Sequence, residues 1–378
     1  MTDRSSRRAI AVVFVLHGLL FASWTAHIPA VKGHLDLTDG ALGLALLGAP
    51  IGSVLLTAAT GWLLPRYGSR AIIRVALVGY CASGPFVGLA GSLPALFFAL
   101  LGWGAFQGML DVAMNTQAIA VERHQHRRIM SGLHGGWGTG AFLGAAVGSA
   151  GVAVGLSLAW QLLLLGVAGV AIGLAPTRAL LTDESVEPIG VPARQRFSAL
   201  VLLLGAVCFA SMFCEGAAAD WAAVYLHDDL GTAASTAGLA YTTFALSMVA
   251  VRLGGNRLAD RVSERRVVPA LAVVATIGFG IALALDRPAA AFAGYACLGL
   301  GIGSVVPSVF SAAGRLPGLH PGSSVATVAA FGWAGFVAGP PLIGWLAGAA
   351  SLRDALILLP VLTAGIALTT LRTSALRS

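Results

Sequence analysis

The sequence predicts an all-α membrane protein of twelve transmembrane helices in two pseudo-symmetric six-helix bundles. Three observations lead there. Apolar residues make up 57% of the 378-residue chain and charged residues only 10%, against about 25% charged in an ordinary soluble domain. Apolar runs of roughly 20 residues, the length that spans a bilayer, recur from end to end. Basic residues are concentrated on alternate connections, as expected of a chain threaded repeatedly through a membrane.

The predicted spans are residues 9–31, 41–64, 71–90, 94–121, 131–154, 157–176, 199–226, 234–253, 267–285, 289–312, 323–347 and 352–371. Connections between them are short except for residues 177–198, a polar, proline-containing segment that includes TDESVEPIGVPARQR. It reads as a cytoplasmic linker between an N-terminal bundle, 1–176, and a C-terminal bundle, 199–378. With both termini cytoplasmic, all of the 23 basic residues except Lys32, Arg287 and Arg353 fall on inside segments. This places the chain as a multi-pass protein of a bacterial cytoplasmic (inner) membrane. A cleaved signal peptide from Arg7 and Arg8 to about Ala26 is the competing reading, but the first run is long enough to span and is read as retained.

The net charge of +7 therefore reports topology and points to no nucleic-acid partner. Cys81, Cys208, Cys214 and Cys297 all lie in apolar runs and read as small core residues, with no metal or disulfide framework. Glycine-rich strings occur only inside membrane helices, so they imply no nucleotide cofactor, and no cofactor of any kind is expected.

An internal repeat runs at an offset of 195 residues. Arg66 and Arg70 in GWLLPRYGSR match Arg261 and Arg265 in NRLADRVSERR, and Gly140 and Gly144 match Gly335 and Gly339. Parallel repeats of this kind imply an axis along the membrane normal and a site near the midplane.

The fourth span carries the most informative stretch, QGMLDVAMN. On a helix Gln107, Asp111 and Asn115 fall four apart on one face, with Gly104 and Gly108 beside them. An ionisable group at bilayer depth costs about 2.5–3.5 kcal/mol, so Asp111 must face a protein interior or a wet cavity. Its functional reading is proton coupling; the bland one is a strut between packed helices.

The seventh span offers Glu215 within about 5 Å of mid-depth and Asp220 about 10 Å toward the outside, separated by about 140° around the helix. Glu215 is read as a second proton-coupling group. Asp220 is read as substrate-binding or as solvated in an interfacial aromatic belt with Trp221 and Tyr225. In the first span His17, Leu20, Trp24 and His27 share a stripe. Trp24 can stack on a sugar face and His27 can reach a cavity, while His17 is equally readable as a hydrogen-bonding post. His134 lies at the cytoplasmic start of the fifth span. Ser304, Ser308 and Ser311 flank Pro307, whose ring loosens the tenth span; Ser308, Trp333 and Gln161 are further candidates. Gly140, Gly144 and Gly148 read as helix-packing surface.

Two six-span halves, a central loop and arginine-rich turns after the second and eighth spans resemble the major facilitator superfamily over essentially the whole chain. Its signature turn Gly-x-x-x-Asp-Arg-x-Gly-x-Arg is matched by Gly61, Arg66, Gly68 and Arg70, with Pro65 in place of the acid; the second copy keeps Asp260, Arg261 and Arg265. The resemblance implies that these residues latch the cytoplasmic ends of the halves. Asp111-Val-Ala-Met-Asn115, HGGWGTGAFLG, CEG at Glu215 and GSVVPSVFSAAG are similar to the fucose–proton symporter branch, and the fourth span also to uncharacterised bacterial members with DVAMN. That likeness implies that Asp111 carries the coupled proton. The branch's first-span acid is missing, and Thr25 and His27 fill that region. Gly104 stands where many members have arginine, and Ala145 where many drug antiporters have proline.

The expected function is proton-coupled secondary transport of a small polar organic solute, sugar-like and neutral or cationic, by alternating access. The reasoning on charge is that the cavity helices offer carboxylates and no Lys or Arg at mid-depth. The alternative is a proton-coupled exporter of drugs or metabolites. Expected partners are the small-molecule substrate, protons and the lipid bilayer, with a monomeric chain and no enzymatic activity.

Overall fold

A computed structural model of the chain describes residues 3–125, 129–182, 198–259, 264–316 and 321–372. Every regular element among them is helical. The chain divides into two compact units, Met1–Glu187 with Ala233–Thr242, and Pro188–Thr232 with Thr243–Ser378.

In the first unit α1 (Asp3–Ser23) leads through a 3-10 turn, Thr25–His27, into α2 (Ile28–His34). Pro29 lies in the first turn of α2, where its missing N–H leaves no helical bond unmade. After α3 (Asp39–Leu46), capped by the Thr38 hydroxyl on the Ala41 N–H, α4 runs from Gly48 to Gly88. It is broken at Gly68, with φ 73° and ψ 154°, a conformation a side chain would strain. The second and third expected spans are thus two helical limbs that meet at this kink. α5 (Leu93–Gln125), α6 (Met130–Ala153) and α7 (Leu158–Leu174) complete the long helices of this unit.

Glycines set how closely these helices approach. Gly48 and Gly52 on α4 lie against the Phe97 and Leu101 carbonyls of α5, and Gly104 and Gly108 on α5 lie against Ala49 and Ser53. A Cβ at any of the four would overlap the neighbouring backbone. On α6, Gly140, Gly144 and Gly148 meet the carbonyls of Val15, Leu19 and Ser23, the packing role their spacing implies.

The second unit contains α8 (Ala199–Val224), which continues as one π-helical turn, Tyr225–Asp229, then α9 (Ala234–Ala259), α10 (Glu264–Leu285), α11 (Pro288–Ile302), α12 (Val305–Gly314), α13 (Pro321–Ala349), α14 (Leu352–Leu356) and α15 (Leu358–Arg372). The first ten residues of α9 region, Ala233–Thr242, group with the first unit, where Gly238 sits against Ala26 and Ser149. On α13, Gly335 and Gly339 rest on the Phe209 and Phe213 carbonyls of α8. This is the contact that Gly140 and Gly144 make with Val15 and Leu19, so the sequence repeat corresponds to one packing motif used in both units.

Among the described residues, ten stretches are long and apolar enough to cross a membrane. One, Asp39–Gly88, has 50 residues, more than the roughly 20 a single crossing needs, and is interrupted at Gly68 between the limbs expected as the second and third spans. α6, the expected fifth span, is a 24-residue helix that is not one of the ten. The chain is an all-α, multi-spanning membrane protein.

Candidate functional site

Asp111 lies on α5, half-buried, and its neighbours on the same face, Gln107 and Asn115, are half-buried too. The Asn115 amide donates to the Asp111 carbonyl at 2.8 Å and to Asp111 Oδ1 at 3.2 Å. The polar stripe is therefore internally bonded. Gly104 faces α4 and, at 100° per residue, Asp111 and Asn115 lie within about 20° of it around the helix, so the stripe borders the tight α4–α5 contact. Among the described residues no basic side chain pairs with Asp111.

Behind the stripe lies an aromatic cluster. His17 is buried; Trp137 donates its indole N–H to His17 Nδ1 at 2.7 Å, and His17 Nε2 sits 3.3 Å from the Gln107 carbonyl. An Nδ1 that accepts requires the proton on Nε2, so His17 is the neutral tautomer that donates to Gln107. Tyr80 stacks on Trp103 with centroids 5.0 Å apart, and Trp24 meets Trp103 edge to face at 6.2 Å. Trp24 is 4% exposed and its ring is committed to this packing. The Tyr80 hydroxyl and Trp103 Nε1 are buried without a hydrogen-bond partner among the described residues.

His27 is 4% exposed, and its Nε2 lies 3.0 Å from Gln161 Oε1, while Gln161 Nε2 donates to the Ser23 carbonyl at 2.7 Å. In this conformation the imidazole ties the 3-10 turn to α7 instead of facing open space. His134 is exposed, edge-on to Phe14.

In the second unit Glu215 is 7% exposed and pairs with Arg252, Oε2 to Nη2 at 3.7 Å. The expectation that no basic group reaches these carboxylates is corrected here. Arg252, counted among the cytoplasmic arginines, is on α9, and its long side chain reaches back along apolar surface to the acid, as arginine stems can. Asp220 is half-buried and has no hydrogen-bond or ion-pair partner among the described residues. Its neighbours Trp221 and Tyr225 are buried at 0% and 1%, so they are core residues and not an interfacial belt. The Tyr225 hydroxyl donates to Asp286 Oδ1 at 3.1 Å, and Asp286 faces Arg353 at 3.6 Å. Ser308 on α12 is buried, and Trp333 on α13 is 41% exposed beside Phe336.

Of the arginine-rich turns, Arg66 folds onto its own helix, its guanidinium 3.6 Å from the Trp62 ring centroid and donating to the Trp62 carbonyl at 2.8 Å. Arg70 Nε is buried without a hydrogen-bond partner among the described residues. Asp260 and Arg261 lie outside the described residues, as does the side chain of Arg265. At the start of the expected linker, Thr177 is buried and accepts from Arg74 Nε at 2.8 Å, so this end is anchored in the first unit. Arg74, Arg252 and the Trp137–His17 bond are the features the sequence reading missed. Only a basic residue near an apolar end signalled Arg252.

Long apolar helices and glycine-packed repeats define a multi-pass helical membrane protein. The chain belongs to the Major Facilitator Superfamily, whose profile matches residues 10–320 and 203–375. It is 35% identical over 351 residues to an uncharacterised MFS-type transporter of Yersinia pestis, spanning 93% of this chain and 91% of the relative. It is also 31% identical to the membrane protein MosC of Rhizobium meliloti, over 92% of this chain and 85% of that one. Among solved structures, a bacterial homologue of the human lysosomal transporter Spinster, inward-facing and unoccupied, superposes with a TM-score of 0.76 at 13% identity, over 99% and 97% of the two chains. The nucleoside transporter NupG gives 0.74 at 12% identity over 98% of each. These two likenesses establish the fold. The protein is a secondary active transporter of the MFS type.

Proposed function

We propose that the protein couples proton movement to transport of a small polar, sugar-like solute, neutral or cationic, by alternating access. The reading takes twelve spans in two six-helix bundles, residues 1–176 and 199–378, with both termini cytoplasmic and a monomeric working unit. The observation that carries it is Asp111: a half-buried carboxylate on an apolar helix, bonded to Asn115 and facing no basic partner among the described residues. Such a group can exchange a proton as its surroundings change.

Gln107 and Asn115 supply hydrogen bonds for solute hydroxyls, and Trp24 and His27 contribute only if their present packing opens. In the second unit Asp220, Ser308 and Trp333 are the corresponding residues, and Glu215 is the second proton-coupling group. Glu215 is charge-balanced by Arg252, whereas Asp111 and Asp220 are not, which disfavours an anionic solute. The DVAMN stretch and the resemblance to the fucose–proton symporter branch support the sugar-like class. Arg66, Arg70, Asp260, Arg261 and Arg265 act as cytoplasmic latch.

The test uses proteoliposomes and solutes first selected by thermal shift. Asp111→Asn is expected to abolish uptake driven by a pH gradient while leaving counterflow exchange of the same solute. Intact gradient-driven uptake in Asp111→Asn rejects the coupling assignment.

A further inference from the structure

The second unit contains a chain of contacts that the repeat does not copy. α11 stops at Ile302 and α12 begins at Val305. In a continuous helix the Gly303 carbonyl would accept from the N–H four residues on, but that residue is Pro307, which has none. The carbonyl does not go unpaired: Arg252 Nε on α9 donates to it at 3.2 Å. The same guanidinium turns Nη2 toward Glu215 Oε2 on α8 at 3.7 Å. One side chain thus replaces the hydrogen bond lost to proline and serves as counter-charge to a buried acid. At the same break the Ser304 hydroxyl oxygen is buried with no hydrogen-bond partner among the described residues, while the Gly303 and Ser308 N–H groups keep their helical bonds to the Gly299 and Ser304 carbonyls.

We propose that Arg252 is a positioning residue that links the protonation of Glu215 to a hinge at Gly303–Pro307. While Glu215 is ionised, the ion pair holds the guanidinium in place to cap the Gly303 carbonyl. Once Glu215 takes a proton, the arginine is left as a charge with no counter-ion in apolar surroundings. It withdraws toward water along its flexible stem, and the cap is lost. The freed carbonyl leaves α12 able to swing at the proline, the kind of break that bends a helix. Proton uptake is thereby converted into motion of one helix in the second unit.

The groups around Glu215 leave this assignment to Arg252. α12 and α13 carry no titratable side chain, and α15 has only Arg372 at its far end. α11 brings Tyr295 and Cys297, the π turn Tyr225, His227, Asp228 and Asp229, and α8 itself Cys208, Cys214 and Asp220. α9 carries Tyr241 besides Arg252, and its Arg257 side chain lies outside the described residues; among the described residues Arg252 is the cation in contact with Glu215, Nη2 to Oε2 at 3.7 Å.

The inference rests on Glu215 being a proton acceptor, as in the function proposed above, but its test needs no transported solute. Amide hydrogen exchange of the full chain in nanodiscs is followed by mass spectrometry at pH 5.5 and 8, corrected for intrinsic exchange chemistry, over peptides covering residues 299–311. The wild type is expected to exchange faster at the lower pH, by roughly tenfold for loss of one charge-assisted bond. Glu215→Gln should exchange fast at both pH values, and Arg252→Gln should do the same. Pro307→Ala, which restores the N–H, should slow exchange and make it independent of pH, and should rescue Arg252→Gln in the double variant. Exchange in Arg252→Gln equal to wild type at both pH values overturns the hinge. So does a pH response that survives in Glu215→Gln. Asp111→Asn is expected to leave this exchange unchanged, so the hinge and the Asp111 coupling assignment can fail separately.

Discussion

Trp137 on α6 donates its indole N–H to His17 Nδ1 on α1 at 2.7 Å, and this bond fixes which imidazole nitrogen points at α5. Trp137→Phe keeps the ring and removes the donor. It is expected to lower unfolding stability in detergent by about 0.5–2 kcal/mol, the range of interhelical polar contacts in membranes. A thermal unfolding midpoint unchanged from wild type would show that His17 finds another partner.

Gly102 and Gly104 lie two residues apart on α5 and make opposite predictions. A Cβ at Gly102 meets nothing within 4 Å, whereas one at Gly104 runs into the Ala49 backbone. Gly102→Ala should be neutral or slightly stabilising, by up to about 1 kcal/mol from helix propensity. Gly104→Ala should separate α4 from α5, at a cost of about 1–3 kcal/mol for overpacking. Equal monodisperse yield and melting temperature for the two variants would contradict the close helix contact.

Gln161 holds two groups at once, His27 Nε2 and the Ser23 carbonyl. Gln161→Leu leaves both buried and unbonded, so it is expected to cost more than His27→Phe, which removes only one end, by about 1 kcal/mol or more. Chemical denaturation of both variants in the same detergent gives the comparison.

Arg353 and Asp286 are both partly exposed at their ion pair, with side-chain exposures of 42% and 44%. Solvent screens such a pair, so Arg353→Ala should change stability by less than about 1 kcal/mol. Tyr225→Phe, which unpairs Asp286 from a buried ring, should cost at least as much. A larger loss for Arg353→Ala would point instead to its bond with the Leu283 carbonyl.

Much of the helical pattern was legible because it is local. Apolar run length, the register of Gln107, Asp111 and Asn115, and the glycine ladder on α6 all follow from 1.5 Å and 100° per residue, which the sequence carries without reference to any neighbour. How the second and third runs join was not legible in that way, since it turns on one residue at positive φ, Gly68, where helical geometry is interrupted and then resumes.

Partnership across helices is the part that only the folded chain decides. Composition and periodicity place Asp111 and Glu215 as carboxylates in apolar helices, give a chain that crosses a membrane many times, and show a repeat between its halves. They could not determine that Glu215 has a cation at 3.7 Å while Asp111 has an amide four residues away. Nor could they show that His27 is held by Gln161, or that an arginine on α9 supplies the hydrogen bond a proline on α12 removes. Those outcomes depend on distances between side chains 37 to 134 residues apart in sequence, which packing sets and local periodicity does not encode.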